Sequence, residues 1–424
     1  MDTESEYYDE KEVMPPEERE RCQQEKLKHI IEHAYQNAPA VKDKLRQAGV
    51  TPGDIQTIKD LEKIPITRKD ELIELQKASP PFGGFLACDY RDTKGIFVSP
   101  GPINDPHGNS FDYWNGARVF YAVGFRKGDL VLITLSYHLA PGGMIIHDNM
   151  QALGAVPIPG GVGNTELQVK VLHDLKVTGY IGTSSGLVAL IKRAEAMGYK
   201  DFHKEFALKR AACGGEMLPP SLRHTFEQDY GITATQFYTT ADLGHVAYEC
   251  REKSGMHFVE EVIVEIVDPD TGKQVGPGEE GEVVVTPFNE IYPLIRFGTG
   301  DLASYTDEPC PCGRTSKRVL GIWGRVGGAI KVRGMFVHPD QVGEVAGKFP
   351  QIRKFQLVID RQAGRDDLTF KAGVADEIDK DKLWQDFEKS FREICRVRVD
   401  RMEFVPKGAI PEDAKAMLDK RSSE

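Results

Sequence analysis

Residues 130–182 read LVLITLSYHLAPGGMIIHDNMQALGAVPIPGGVGNTELQVKVLHDLKVTGYIG, and the alternation within them decides the fold class. Three short apolar runs, Leu130 to Leu135, Ala155 to Ile158 and Tyr180 to Gly182, are bounded by turn residues as buried strands are. Helical stretches lie between them. This strand and helix rhythm, which runs from about Gly95 to Ala212, is that of an α/β protein. The richest apolar stretch, Val131 to Ile146, is broken by Ser136, His138, Pro141 and glycines. It falls short of the roughly 18 to 20 uninterrupted apolar residues of a membrane span.

Upstream, Glu17 to Gln47 carries Leu27, Ile30, Ile31, Ala34, Tyr35 and Ala38 at helical intervals, which predicts one or two amphipathic helices. Pro65 to Leu72 has the form of a helix start, with Thr67 as N-cap and acidic residues in the first turn. From Phe258 onward the pattern changes. Residues 258–288 hold two β-rich runs joined by Pro, Asp and Gly turn residues, which favours antiparallel structure. Beyond Val326, strand candidates at Phe355 to Asp360 and Leu368 to Val374 and a helix candidate at Lys380 to Cys395 suit a separate small domain.

The chain of 424 residues has room for about two to four domains. Lys+Arg 54 against Asp+Glu 65 gives a formal net charge of −11, with no long basic run, which argues against nucleic acid as a partner. The acidic N-terminus MDTESEYYDEKEVMPPEERE lacks the basic opening and apolar centre of a secretory signal, so a cytoplasmic location is expected. Seven cysteines, an odd number spread over the chain, do not make a disulfide framework.

Four residues point to a metal instead. Cys250 and His257 are separated by six residues, Cys310 and Cys312 by one, and both pairs lie in turn-like sequence. Zinc takes three thiolates and an imidazole tetrahedrally, and a closed shell of four leaves no position for substrate, so the expected role is structural cross-linking. Three further motifs are ambiguous alone. Gly214-Gly215-Glu216 either lets a planar ligand approach the backbone or makes a turn. In Thr299-Gly300-Asp301-Leu302 the carboxylate either accepts from a ribose diol or is a solvated loop charge. The third is the tract Phe237 to Asp242.

Taken in order with Gly324-Arg325, Ile330 to Gly334 and Val337-His338-Pro339, these motifs resemble the adenylate-forming superfamily, and within it the phenylacetate-CoA ligase family. The strings RAACGGEMLPPSLRHTFEQDYGI (210–232), YTTADLGHVAYEC (238–250) and PLIRFGTGDLASY (293–305) carry the resemblance, which extends over nearly the whole chain. It implies a large multi-subdomain N-terminal domain (1–325) that binds AMP and the acyl group and bears the zinc hairpins, followed by a small mobile α+β lid (326–424). It implies that a carboxylate attacks the α-phosphate of ATP to release pyrophosphate, and that coenzyme A then displaces AMP. By the same resemblance Gly215 and Glu216 flank adenine, Tyr238 and Thr239 border adenine and acyl group, and Asp301 with Arg325 binds ribose. Asp242 replaces the family's glutamate and is expected to hold Mg²⁺ with a shorter reach. Tyr137 lines the acyl pocket or packs the core. Some family members carry zinc on these same hairpins.

The chain departs from the family at three places. The phosphate loop, ordinarily rich in Ser, Thr and Gly, reads FVSPGPINDPHG at Phe97 to Gly108. Three prolines each remove an amide donor, and Asp105 brings a negative charge to the expected phosphate position, with His107 or Lys94 as compensating groups. Gly327-Gly328 stand at the hinge where an acidic residue is usual. The late lysine of the adenylation step is assigned to Lys415, with an alternative alignment that puts Asp413 there. Lys331 and Arg333 serve the C-terminal domain's own turn or the phosphates of coenzyme A. The expected activity is ATP-dependent CoA ligation of an aromatic acid, of the phenylacetate or benzoate kind, with small-molecule partners only and a homodimer as the candidate assembly. The alternative is a degenerate ligase acting as a nucleotide- or acyl-CoA-binding regulatory subunit.

Overall fold

Strands at Leu130–Ile133, Val156–Pro159 and Gly179–Gly182 pair in parallel with helices between them, as the α/β rhythm predicts. The computed structural model describes residues 5–326, 330–333, 335–337, 339–362, 365–374, 379–406, 408–412 and 414–421. It divides into two units, Met1–Trp323 and Gly324–Glu424.

The first unit opens with helices α1 (Pro16–Asn37) and α2 (Pro39–Gln47), strand β1 (Thr67–Arg68), α3 (Lys69–Ala78), β2 (Gly95–Ser99), β3 (Ile103–His107) and α4 (Gly116–Ala122). The α/β region follows as β4 (Leu130–Ile133), α5 (Gly142–Leu153), β5 (Val156–Pro159), α6 (Thr165–Asp174), β6 (Gly179–Gly182), α7 (Ser184–Ala196), α8 (Phe202–Glu205), β7 (Arg210–Cys213) and α9 (Pro220–Gln228). Then come β8 (Thr233–Thr240), β9 (Gly244–Glu249), β10 (Met256–Phe258), β11 (Val262–Val267), β12 (Gly281–Pro287), β13 (Phe297–Thr306) and β14 (Arg318–Arg325). A 12-stranded sheet runs β11-β12-β13-β14-β10-β9-β8-β7-β6-β4-β5, with β1 beside β13. Its β8 to β5 end is parallel.

Strand alternation sorts the core into two layers. Leu132 on β4 and Tyr180 on β6 join Val169, Leu172, Leu187 and Leu190 from α6 and α7. Val131, Ile133 and Ile181 face the other way, toward Phe120, Ile145, Ile146 and Met150 from α4 and α5. The runs are apolar throughout because both faces of a parallel sheet are covered.

Thr67 is not the N-cap of a helix. It lies in β1, paired in parallel with Phe297, and its hydroxyl accepts from the buried Lys44 ammonium at 2.6 Å. The N-cap of α3 is Arg68, whose side chain makes no cap bond. A long-range strand pairing outweighs a local capping signal worth about 1 kcal/mol.

The second unit holds β15 (Ile330–Val332), β16 (Met335–Val337), α10 (Pro339–Gly347), β17 (Ile352–Gln362), β18 (Arg365–Val374), α11 (Lys380–Cys395), β19 (Arg401–Val405) and β20 (Met417–Asp419). A four-stranded sheet, β19-β18-β17-β20, centres on the β17–β18 hairpin. Helix α11 buries Leu383, Phe387, Phe391 and Cys395, a four-residue spacing that makes one apolar stripe. Phe387 meets Phe370 of the sheet at 4.2 Å between ring centres. Gly327, Gly328, Gly334, His338 and Asp413 lie outside the described residues, as does the side chain of Lys331.

Candidate functional site

The order in which strands are added reverses at β4, which has β5 on one side and β6 on the other. Open parallel sheets bind ligands beyond the carboxyl ends of their strands at such a reversal. Six of the predicted site positions fall at the carboxyl ends of these parallel strands. Tyr137 follows β4, Gly215 and Glu216 follow β7, Tyr238 and Thr239 end β8, and Asp242 lies in the turn to β9.

Glycine is required after β7. A Cβ on Gly214 would stand 2.4 Å from the Phe237 ring, and Gly215 has φ +82°. Glu216 caps α7. Its carboxylate accepts from Ser184 Oγ at 2.6 Å, from the Ser185 backbone N–H at 2.5 Å and from Ser185 Oγ at 3.1 Å. A carboxylate at the positive end of a helix is well satisfied. Tyr238 Oη donates to Asp301 Oδ2 at 2.6 Å, joining residues from β8 and β13. Tyr137 is half-buried, with its hydroxyl 3.4 Å from His147 Nδ1. Arg325 ends β14, at the start of the second unit.

Asp242 is buried, and Lys69, at the start of α3, reaches its Oδ2 at 3.0 Å. Nothing in the sequence pattern marked Lys69 beyond a helix start. Asp242 Oδ1 is buried with no hydrogen-bond partner, an oxygen donor of the kind Mg²⁺ takes.

The altered phosphate loop is a tight hairpin. Ser99 pairs with Ile103 across Pro100-Gly101-Pro102. Asp105 is not on that turn: it lies in β3 opposite Phe97 and is 1% exposed. Burial first, and then the charge of Asp242, push its carboxyl well above the ordinary range. The carboxyl expected to face phosphate is therefore buried within the hairpin. Lys94 and His107 both reach Asp148, at 2.6 and 2.9 Å.

Cys250, His257, Cys310 and Cys312 converge, all buried, with one ligand atom from each within 4.8 Å of the others. Cys250 Sγ is 3.7 Å from Cys310 Sγ, and Cys312 Sγ is 3.4 Å from His257 Nε2. A tetrahedron with metal–sulfur bonds of about 2.3 Å has sulfur–sulfur edges of about 3.8 Å, so the donor set fits zinc. His257 Nδ1 lies 3.0 Å from Ser316 O, which turns Nε2 toward the thiols. The N-terminal segment straps this knuckle: Tyr7 Oη donates to Cys312 O at 2.9 Å, and buried Glu12 pairs with Arg314 at 2.8 Å.

In the second unit Lys415 is exposed, and its carbonyl accepts from Gln356 at 3.0 Å. Arg333 serves the unit's own turn, its backbone N–H and guanidinium meeting Asp366 at 3.0 and 2.7 Å.

The family model for AMP-binding enzymes matches residues 112–287. The phenylacetate-coenzyme A ligase of Aromatoleum evansii is 32% identical over 368 residues, 84% of this chain and 81% of its own length. The chain belongs to the phenylacetate-coenzyme A ligase family. The Thermus thermophilus enzyme of the same name is 30% identical over 87% of this chain and 84% of its own. The Escherichia coli one is 30% identical over 84% and 82%. Membership makes the protein an AMP-binding acid–thiol ligase, and the matched relatives lend no support to a regulatory subunit. A crystal structure of 2-hydroxyisobutyryl-CoA ligase, in complex with 2-HIB-AMP and CoA, shares the fold with a TM-score of 0.89 at 24% identity, covering 99% of this chain and 94% of that one. Among the described residues no helix is long and apolar enough to cross a membrane.

Proposed function

We propose that the protein joins an aromatic carboxylic acid to coenzyme A through an acyl-adenylate formed from ATP. The Tyr238–Asp301 bond of 2.6 Å, at the carboxyl end of the parallel strands, carries this reading. It orients a buried carboxylate that would accept both hydroxyls of a ribose. Arg325 is assigned to the ribose, the backbone of Gly215 and Glu216 to adenine, Tyr238 with Thr239 to adenine and acyl group, and Tyr137 to the acyl pocket. The acid's oxygen would attack the α-phosphorus as the bond to pyrophosphate breaks. The coenzyme A thiolate would then attack the acyl carbon, and AMP leaves with the bonding electrons. Lys415 is assigned to neutralising charge in the first step.

Asp242 would hold Mg²⁺, whose positive charge would offset that of the phosphates. The four-residue cluster would hold zinc in a structural role.

Acid-dependent exchange of labelled pyrophosphate into ATP tests the proposal, with phenylacetate, benzoate and substituted relatives as acids. Exchange with at least one is expected. None, beside a working control ligase, refutes it. Asp301→Ala is expected to weaken AMP binding by about tenfold or more, since a hydrogen bond to a charged group contributes about 1.5–3 kcal/mol. Unchanged affinity in calorimetry removes the ribose assignment.

A further inference from the structure

His245 lies in β9 opposite Thr239 of β8 and is 1% exposed. Its ring stands edge-on to Phe120 at 5.3 Å and beside Phe237 at 5.7 Å. His245 Nε2 is 2.8 Å from Asn149 Oδ1, and Asn149 Nδ2 donates to Asp112 Oδ1 at 2.9 Å. Asp112 also accepts the backbone N–H groups of Gly116 and Ala117, both at 3.0 Å. A carboxylate serving as acceptor turns the amide NH₂ toward itself. The amide oxygen then faces the imidazole, so the proton sits on Nε2. Burial holds the ring neutral, with its pKa down to about 3.

The consequence is that Nδ1 is an acceptor only. It is buried and has no hydrogen-bond partner, a state that costs about 1–3 kcal/mol. Two neighbours share that state, Thr239 Oγ1 and the indole Nε1 of Trp114. Trp114 packs against Gly244, where a Cβ would lie 2.8 Å from the indole. The indole N–H is a donor only. A hydroxyl group, which donates one bond and accepts others, matches an acceptor and a donor together, and an unsubstituted ring matches neither. Thr239 is the ladder partner of His245, Trp114 packs on the preceding Gly244, and Tyr238 is the chain neighbour of Thr239.

We propose that His245, held by Asn149 and Asp112, is a specificity-determining residue whose Nδ1 accepts from a hydroxyl group on the acyl substrate, making the preferred substrate a hydroxylated aromatic acid. This rests on the reading of the β8–β9 region as the acyl and nucleotide site. A site built to bond a hydroxyl rejects the analogue that lacks it, because its own polar groups are then left unpaired.

Calorimetric titration with benzoate, phenylacetate and their monohydroxylated forms reads the pocket without turnover. At least one hydroxylated acid is expected to bind about tenfold or more tightly than its parent. His245→Phe should abolish that ratio. Trp114→Phe removes the indole donor together with part of the ring and should lower the same ratio, which keeps the proposal testable if the His245 variant does not fold. Equal binding of parent and hydroxylated acids, no binding of any of them, or a ratio unchanged in the folded variants overturns it. Selective binding without pyrophosphate exchange counts against the ligase reading and leaves the pocket assignment standing.

Discussion

Replacing Cys310 by serine is expected to strip zinc from the protein and to lower its melting temperature by about 10 °C or more. The four donors come from the end of β9, from β10 and from the β13–β14 loop, so the metal would join segments some sixty residues apart in sequence. Removal of one thiolate leaves three donors and a weak hydroxyl. It also releases the Cys310–Cys312 turn against which Tyr7 and Glu12 hold the N-terminal segment. Structural zinc contributes about 10–16 kcal/mol of apparent binding free energy in isolated zinc-finger peptides. Only part of that can appear here, because the β-sheet on both sides of the knuckle persists without metal. Metal mass spectrometry and scanning calorimetry on the two proteins check the result. Cys22→Ser, at a half-exposed cysteine outside the cluster, should change neither quantity. Wild-type protein with reduced thiols and no zinc would end the assignment.

The cluster of Cys250, His257, Cys310 and Cys312 was legible in the sequence because few residue types serve as soft metal donors, and three thiols and an imidazole in turn contexts stand out. The parallel strands were legible for a related reason, as only a strand buried on both faces is apolar without alternation. Tyr238 and Asp301 were found through motif order, whereas the bond between them joins strands that no local pattern pairs. Asp105 was misread because Pro-rich sequence on both sides suggested a loop. In the structure Pro100 and Pro102 lie in the turn of a hairpin, Pro106 pairs with Ile96 within it, and Asp105 is buried between them. Lys69 and the Asp112–Asn149–His245 chain left no trace in the sequence. Each of these residues is ordinary alone, and their meaning comes from elements that meet only when the sheet and its covering helices assemble.

A second large effect is expected at Arg296. Its guanidinium is 2% exposed, bonds Glu265 at 3.2 Å and donates to the carbonyls of Ile64, at 2.8 Å, and Gly272. Arg296→Met keeps the unusual backbone, φ 55°, and so isolates the loss of charge and donors. Glu265, almost fully buried, then keeps only the bond from Gln274. Burial already pushes the Glu265 carboxyl upward, and Arg296 is the chief influence holding it down. Breaking such a pair from one side costs about 3–5 kcal/mol, which chemical denaturation would read directly. The position also bears on the site. Arg296 stands immediately before β13, which carries Asp301, and its bond to Ile64 O anchors the approach to β1 and Lys69. The single variant should therefore bind AMP more weakly as well as unfold earlier. The double variant Arg296→Met, Glu265→Leu removes the stranded carboxylate and should recover most of the stability, because an apolar pair of similar volume often equals a buried ion pair. It should not recover AMP affinity, since the Ile64 carbonyl still lacks its donor. A double variant as unstable as the single one would mean that the two carbonyls, and not the carboxylate, are what the guanidinium chiefly satisfies.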